Sequence, residues 1–378
     1  MRVLLATQSS ERASTSRSLE AWARLLPDYR VDVAVTVGQE GPLFSALSDA
    51  GIPVRVCPIR AVPNRRWPFP FAAAVIRLAA AIRAFGSTLL HVNEHDNHLV
   101  AARAARLTGV PLLTHVRFRP DREYCHWLFK PPYAPSRLFF TSQTQMEDSA
   151  EAVEPMVPRT RWRLLPNGLD FSRFGTNAGV RDEWRRRLGL SDGTIALGMA
   201  CPISKRKRVD HFIRLIARLR QCGLDVKGYV AGRPYWPEDS RLEAELKDTA
   251  AGLVGEQVKF LGYVEPSEPL YYAWDVCISA SSYETFGNTV LEALACRCPV
   301  VAYPGGSVQE IGGPGAVVVP DADEDSLYRQ TRRLCEDAAE RRRLAENGYQ
   351  HAARSYDINN TVAQLAREYA TVARQPRP

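Results

Sequence analysis

The sequence predicts an α/β protein built as two successive doubly wound domains. Three observations carry that expectation. Apolar β-type runs alternate with helix-type runs, the connections are short and marked by Gly or Pro, and the alternation breaks once, near residues 164–180, before restarting. The 378 residues also exceed what one core usually organises.

The first half opens with the strand "RVLLAT", the helix "SRSLEAWARLL" and the strand "VDVAVTV". "PLFSALSDAG" and "IPVRVCP" follow as helix and strand; after Gly86 come the strand "TLLHVN", the helix "HLVAARAARLTG" and the strand "VPLLTHV". "RLFFTS" is a further strand, and the polar, acidic "QTQMEDSAEAV" follows it. The turn-rich "LLPNGLDFSRFGTNAGV" is the break. Beyond it run "TIALGMA", the helix "RVDHFIRLIARLRQCG", "DVKGYVAG", the helix "SRLEAELKDTAAGL", "VKFLGYV" and "EPLYYAWDVCISAS". Residues 281–306, the strand "AVVVP" and two charged helices from Glu324 onward complete the order. "DADED", Asp321 to Asp325, reads as an acidic helix start, favourable with the helix dipole. Ligands of such sheets bind beyond the carboxyl ends of the strands, so the chemistry is expected there.

Hydrophobic residues at 45% and charged residues at 24% match soluble globular proteins and argue against disorder or an integral membrane protein. "MRVLLATQSS" is too short an apolar run for a signal peptide. Arg77 and Arg83 interrupt the longest apolar run, "FPFAAAVIRLAAAIRAFG", which therefore does not suit a bilayer span. The eight cysteines include no C-x-x-C spacing and read as reduced, mostly buried thiols of a cytoplasmic protein, peripheral at the inner membrane face at most.

The net charge of +7 is unevenly placed: twelve Arg or Lys stand against four acids between Arg60 and Arg137. This window is a solvated basic face or a surface for an anionic acceptor or an acidic membrane. No recognition motif accompanies the charge, so nucleic acid is not an expected partner. Five of the seven histidines fall in the same window. His91 and His95 in "HVNEHDN", beside Asn93, Glu94 and Asp96, invite a metal reading, but their spacing fits no standard site. His115 ends the strand "VPLLTH", where an imidazole would face the ligand side and meet ligand hydroxyls, or serve as a structural residue.

The stretch "SSYETFGNTVLEALACRCPVVAYPGG" carries the sharpest signal. A strand ends, "SYETFG" turns, and a helix opens at Asn288 or Thr289, giving backbone N–H groups and a dipole suited to phosphate. Gly287 lets the backbone approach a ligand. Glu292, about one turn into the helix, and Glu284, in the turn before it, are placed for ligand hydroxyls; a cap residue and a surface helix residue are the plain alternatives.

Extended to "SVQEI", this stretch resembles the signature of family-4 retaining glycosyltransferases, which have the GT-B fold of two Rossmann-like domains facing across a cleft. The residues that match are a Glu, a second Glu eight positions on, an Ala-rich helix, a Pro-Val-Val strand, Gly-Gly and a further Glu. "LLPNGLDFSRF", "GSTLLHVN", "VPLLTH", "KFLGYV", "EPLYYAWDVCISAS" and "SYDINNTVAQLAREYATV" are similar to other family segments in the same order. The resemblance covers nearly the whole chain and is strongest from Leu164 to Ile311. It implies an acceptor-side domain over residues 1–175, a donor domain over 176–355, and a C-terminal helix, 356–378, crossing back onto the first.

The same resemblance implies residue roles. Glu292 would hold the ribose of a nucleotide-diphosphate sugar and Glu284 would face its sugar. The amides of Phe286, Gly287, Asn288 and Thr289 would hold the diphosphate, with Gly305, Gly306 and Glu310 shaping the same site. In "CPISKRKRVDHF", Lys207 takes the place of the family lysine that offsets charge on the leaving diphosphate. His115 would join Glu284 and Lys207 at the reacting centre. The acceptor side would comprise Ser9, Ser10, His91, Asn93, His95 and Arg117. No metal or other cofactor is expected.

Two departures stand out. The family's Gly-Arg before the lysine loop is replaced by Cys201 and Pro202, which leaves Lys205 or Arg206 as the substitute cation. The Gly-Gly loop after the first strand is replaced by "TQSSERASTS". The implied activity is transfer of a sugar to a hydroxyl of a glycan, lipid-linked or small-molecule acceptor. A nucleotide-sugar epimerase, a phosphorylase and a non-catalytic nucleotide-sugar-binding module are the alternatives. "RFRPDREYCHWLFKPPY", mixing arginines with aromatics, suits a phosphate-bearing or lipid-linked acceptor as well as a soluble glycan.

Overall fold

The computed structural model describes every residue except 13, 64, 65, 67, 175, 176 and 375–378, together with the side chains of all described residues but Ser14. The chain forms two compact units, Met1–Gly168 with Ile358–Pro378, and Leu169–Asp357. The expected boundary between residues 175 and 176 lies outside the described residues; the units change at Gly168 and again at Asp357. Local packing explains those positions. Leu169 bridges to Asp357, and its N–H donates to the Tyr356 carbonyl at 2.9 Å. At Gly168 an added Cβ would stand 2.5 Å from the Ile358 Cα.

The first unit is a seven-stranded parallel sheet in the order β3-β2-β1-β4-β5-β6-β7. Its strands are β1 (Arg2–Ala6), β2 (Asp32–Val37), β3 (Val54–Val56), β4 (Leu89–Val92), β5 (Leu112–His115), β6 (Arg137–Phe140) and β7 (Trp162–Leu164). The order reverses between β1 and β4, which places the topological switch point there. Continuous apolar runs form these strands because helices cover both faces. β7 was not expected: it is three residues long and lies next to the turn-rich break. The helix Phe69–Phe85 turns Val75, Leu78 and Ile82 inward and leaves Phe69 and Ile76 exposed. Gly86, left-handed at φ 66°, ends it. The C-terminal helix Ile358–Ala373 belongs to this unit, burying Ile358, Val362, Leu365 and Tyr369 in the cluster that contains Leu5, Trp22, Leu113 and Phe139.

The second unit is a six-stranded parallel sheet in the order β10-β9-β8-β11-β12-β13. Its strands are β8 (Ile195–Ala200), β9 (Val226–Ala231), β10 (Val258–Gly262), β11 (Val276–Ser279), β12 (Val300–Ala302) and β13 (Ala316–Val318). Here the switch point falls between β8 and β11. Gly198 sits in mid-strand because a Cβ there would lie 1.8 Å from the buried Trp274 ring. Among the described residues no helix is long and apolar enough to cross a membrane. All eight cysteines are free thiols, and only Cys222 is exposed.

Candidate functional site

In the second unit, the segments after β8 and β11 converge beside the switch point. After β8, Ser204 leads into a single 3-10 turn, Lys205–Lys207, and Arg208 opens the helix Val209–Gln221. Lys207 is only 4% exposed, so its charge needs a partner, and its ammonium donates to Glu284 Oε1. Arg206 lies 3.7 Å from Glu284 Oε2 and donates to the Tyr283 carbonyl. Burial, the largest single influence, would raise the Glu284 carboxyl; Lys207, joined by Ser281 and Arg206, offsets it and holds the group below the usual carboxylate range. The carboxylate is therefore ionised at neutral pH.

The backbone around Glu284 is fixed by the strand end after β12. The Glu284 N–H donates to the Gly305 carbonyl at 3.1 Å, and the Ser307 N–H donates back to the Glu284 carbonyl at 2.9 Å. Ser307 Oγ donates to the Thr285 carbonyl at 2.7 Å. Only glycines permit this approach: a Cβ at Gly305 would lie 2.5 Å from the Ser281 carbonyl, and one at Gly306 2.2 Å from that of Glu284. Gly287, left-handed at φ 92°, then turns the chain into the helix Asn288–Ala295, at the start the sequence predicts.

Glu292 is half-buried on that helix and accepts from Tyr271 Oη at 3.0 Å and Ser267 Oγ at 3.4 Å. Phe286 is buried edge-on against Tyr356, which leaves its backbone rather than its ring for a ligand. Lys205 and Pro202 are exposed. Tyr271, Ser267 and Ser307 escaped the sequence reading; a Tyr–Glu pair 21 positions apart leaves no local signal.

The first unit holds a different arrangement at the ends of β4 and β5. Arg117 Nε donates to the Asn93 carbonyl at 2.8 Å, Nη1 to Asn167 Oδ1 at 2.8 Å, and Nη2 to Asn93 Oδ1. Glu94 accepts from Thr7 Oγ1 at 2.8 Å, Asn93 Nδ2 at 2.6 Å and Asn97 Nδ2 at 3.3 Å. Burial pushes Glu94 up, with Thr7 the main opposing partner, and lowers Arg117 to about 10 against the pull of Glu94.

Beside this pair stands a stack of rings. His91 and His115 lie against Trp22 with centroids 5.7 and 5.2 Å away, and Phe139 tilts against both. Tyr369 Oη contacts His91 Nδ1 at 2.6 Å, and His91 Nε2 faces His115 Nδ1 at 3.3 Å. Burial holds His91 and His95 near 3 and His115 well below its ordinary value, so all three are neutral. His115, expected to face the ligand side, is fully enclosed instead. It shares a strand face with Leu113 and is roofed by Trp22 from the helix Ser14–Leu25. His95 accepts the Arg117 N–H at Nδ1, 3.2 Å away, and packs on Phe118. Ser9 is engaged within its own loop, its N–H donating to Thr7 Oγ1, whereas the Ser10 carbonyl accepts from the Leu43 N–H and its hydroxyl from Gln39 Nε2, both from the segment after β2. Among the described residues no group of three or more His, Cys, Asp or Glu is set to hold a metal.

Two parallel sheets, each with a switch point, define a Rossmann-like α/β protein of the GT-B type. Residues 13–168 match the model of the glycosyl transferase 4-like domain, and residues 180–351 match that of the glycosyl transferases group 1. The chain belongs to the family-4 glycosyltransferases. The D-inositol 3-phosphate glycosyltransferase of Stackebrandtia nassauensis is 33% identical over 220 residues, 54% of this chain and 48% of the relative. An uncharacterized glycosyltransferase of Methanocaldococcus jannaschii is 21% identical over 90% of this chain and 89% of its own length. The chain spans about half the length of the first curated relatives it matches. Among solved structures, Anabaena HepE in complex with UDP and glucose superposes with a TM-score of 0.84 at 21% identity, covering 98% of this chain and all of that one. That likeness speaks for the fold.

Proposed function

We propose that the protein is a retaining glycosyltransferase that moves a sugar from a nucleotide-diphosphate sugar to a hydroxyl of a sugar, lipid-linked or small-molecule acceptor. One observation carries this reading: the buried Lys207–Glu284 pair stands beside the switch point, against a glycine-opened helix start. The complexes of Anabaena HepE with UDP and with UDP-glucose support the donor class.

In this reading the diphosphate lies at the N–H groups of residues 286–289, where the helix dipole favours negative charge. Lys207 offsets the charge that grows on the diphosphate as the sugar–phosphate bond breaks. Arg206, already beside Glu284, supplies the cation that Pro202 does not, and Lys205 adds charge from the exposed side of the turn. Glu292 takes the ribose and Glu284 the hydroxyls of the transferred sugar. The acceptor hydroxyl attacks the face from which the diphosphate departs, and its proton leaves with the diphosphate, so retention needs no protein nucleophile. Positioning and leaving-group stabilisation are then the protein's contribution. Arg117, half-buried, belongs to the acceptor side; Asn93, His95, His91 and His115, all buried, shape that side without touching substrate.

The test is calorimetric titration with UDP, GDP, dTDP and ADP, wild type beside Glu292→Ala. Saturable binding of one nucleotide, weakened about tenfold in the variant, is expected from loss of hydrogen bonds to a charged group. No binding to any of them refutes the donor site. Sugar transfer to a hydroxyl acceptor, followed by mass spectrometry, separates the transferase from an epimerase or a mere binding module. The basic window and the exposed Phe69 and Ile76 extend the reading to an anionic membrane surface. Sedimentation with anionic but not with neutral liposomes is the expected outcome.

A further inference from the structure

Arg208, the residue after Lys207, has left-handed backbone angles, φ 50° and ψ 49°. A residue with a Cβ pays steric strain there, and glycine or asparagine would hold the turn more cheaply. Such strain persists where the surroundings over-determine it, and it clusters at functional sites. The backbone hydrogen bonds of the turn, Lys207 N–H to the Ser204 carbonyl at 3.0 Å and Arg208 N–H to that of Lys205 at 3.1 Å, would form with any residue at 208. What is particular to arginine lies in its side chain.

The guanidinium of Arg208 grips Asp321 with both ends of its fork, Nη1 to Oδ1 at 2.6 Å and Nη2 to Oδ2 at 3.2 Å. It also lies over the Tyr303 ring, 5.5 Å from the centroid. Asp321 stands next to Ala322, itself left-handed at φ 56°, so the pair ties two strained turns together. Tyr303 directly precedes Pro304 and Gly305, whose carbonyl accepts the Glu284 N–H. Tyr303 is fixed in turn by His211 Nδ1, 3.0 Å from its hydroxyl. The lysine turn is thus anchored at one end through Lys207 on Glu284 and at the other through Arg208 on the strand end that holds Glu284.

We propose that Arg208 and Asp321 are positioning residues: their bidentate pair, backed by Tyr303, holds the left-handed turn that aims Lys207 at the diphosphate of the donor. This rests on the reading of Lys207 given above. The pair touches no substrate and acts through the lysine.

A double-mutant cycle on nucleoside-diphosphate affinity tests it, with UDP as the probe, or whichever of GDP, dTDP and ADP binds wild type. Arg208→Gly keeps the turn permissible and removes the clamp, and circular dichroism confirms its fold. Lys207→Ala should weaken binding about tenfold in wild type and less than about twofold in the Arg208→Gly background, the mark of two coupled residues. Asp321→Asn should shift affinity in the same direction by less. It alters a half-exposed carboxylate, so it carries the test if Arg208→Gly fails to fold. Arg208→Lys, with a point charge and no fork, should fall between wild type and Arg208→Gly. Wild-type affinity in Arg208→Gly, or effects of the two changes that simply multiply, would overturn the proposal. A wild-type protein that binds no nucleoside diphosphate would instead overturn the donor-site reading beneath it.

Discussion

The two units share one plan, a parallel sheet with a switch point, yet they finish their strand ends in opposite ways. In the second unit a charged pair, Lys207 and Glu284, is held by glycines whose backbones touch. In the first, neutral histidines stack under a tryptophan, and the charges of Glu94 and Arg117 are absorbed by Thr7, Asn93, Asn97 and Asn167. In the proposed donor role, the pair that meets new negative charge stays ionised although buried, because each charge partners the other. In the proposed acceptor role, the first unit's lining is rigid, polar and largely neutral, since a buried free charge is costly.

Lys207→Ala puts the contrast under the greatest strain. Turnover should fall by about 2–4 kcal/mol in transition-state stabilisation, if the ammonium acts as a single preorganised electrostatic donor does. Thermal stability should change much less, because Arg206 remains beside Glu284. Steady-state kinetics next to a melting curve reads both. Unchanged turnover would mean that the lysine is only the structural counter-ion of Glu284, and the two units would no longer differ in kind.

Arg117→Ala is the reciprocal experiment. It leaves Glu94 without its nearby cation and removes a donor from both oxygens of Asn93 and from Oδ1 of Asn167. The expected cost is about 3 kcal/mol of stability, the scale for breaking a buried ionic network from one side. Binding of the nucleoside diphosphate, measured below the lowered melting point, should be untouched. A protein of normal stability with weakened nucleotide binding would reverse the assignment of the two regions.

The same contrast decides what could be read before the structure. Glu284, Gly287, Glu292, Gly305 and Gly306 fall within one stretch of 281–306, so strand end, turn and helix start were legible together. The ion pair between Lys207 and Glu284 spans 77 positions, and spacing does not disclose it. In the first unit nearly everything is long-range: Thr7 with Glu94 across 87 positions, Arg117 with Asn167 across 50, His91 with Tyr369 across 278. Alternation along β5 does put His115 on the face of Leu113, but no local pattern says that Trp22 will roof it. β7, three residues between arginines and a Pro-Asn-Gly turn, has too few apolar positions for a periodicity.

Acidification offers the finest division of the two units. His91 and His95, near 3 when folded, and His98, near 4, have ordinary values of 6.5, and burial is the leading cause in each. Below 6.5 the unfolded chain binds protons that these rings refuse, so stability falls as pH falls. Each ring costs about 1.4 kcal/mol for each pH unit below its unfolded value. Glu94 opposes this lower down, because its raised value favours the protonated form in the folded state. Glu284 adds its own loss only as pH falls below 4.5, since its value is lowered. Between pH 6.5 and 5 the second unit contributes His211 alone among histidines with a lowered value, and Glu324 and Asp210 partly support its charge. Hydrogen exchange corrected for intrinsic rates should therefore show peptides of residues 89–117 losing protection before those of residues 276–303. His115, held well below its ordinary value, adds a fourth such ring, so His91→Gln should flatten that pH slope by roughly a quarter. Equal loss of protection in the two units would mean that the histidine stack opens without unfolding, and that the first unit's polar centre is softer than its packing implies.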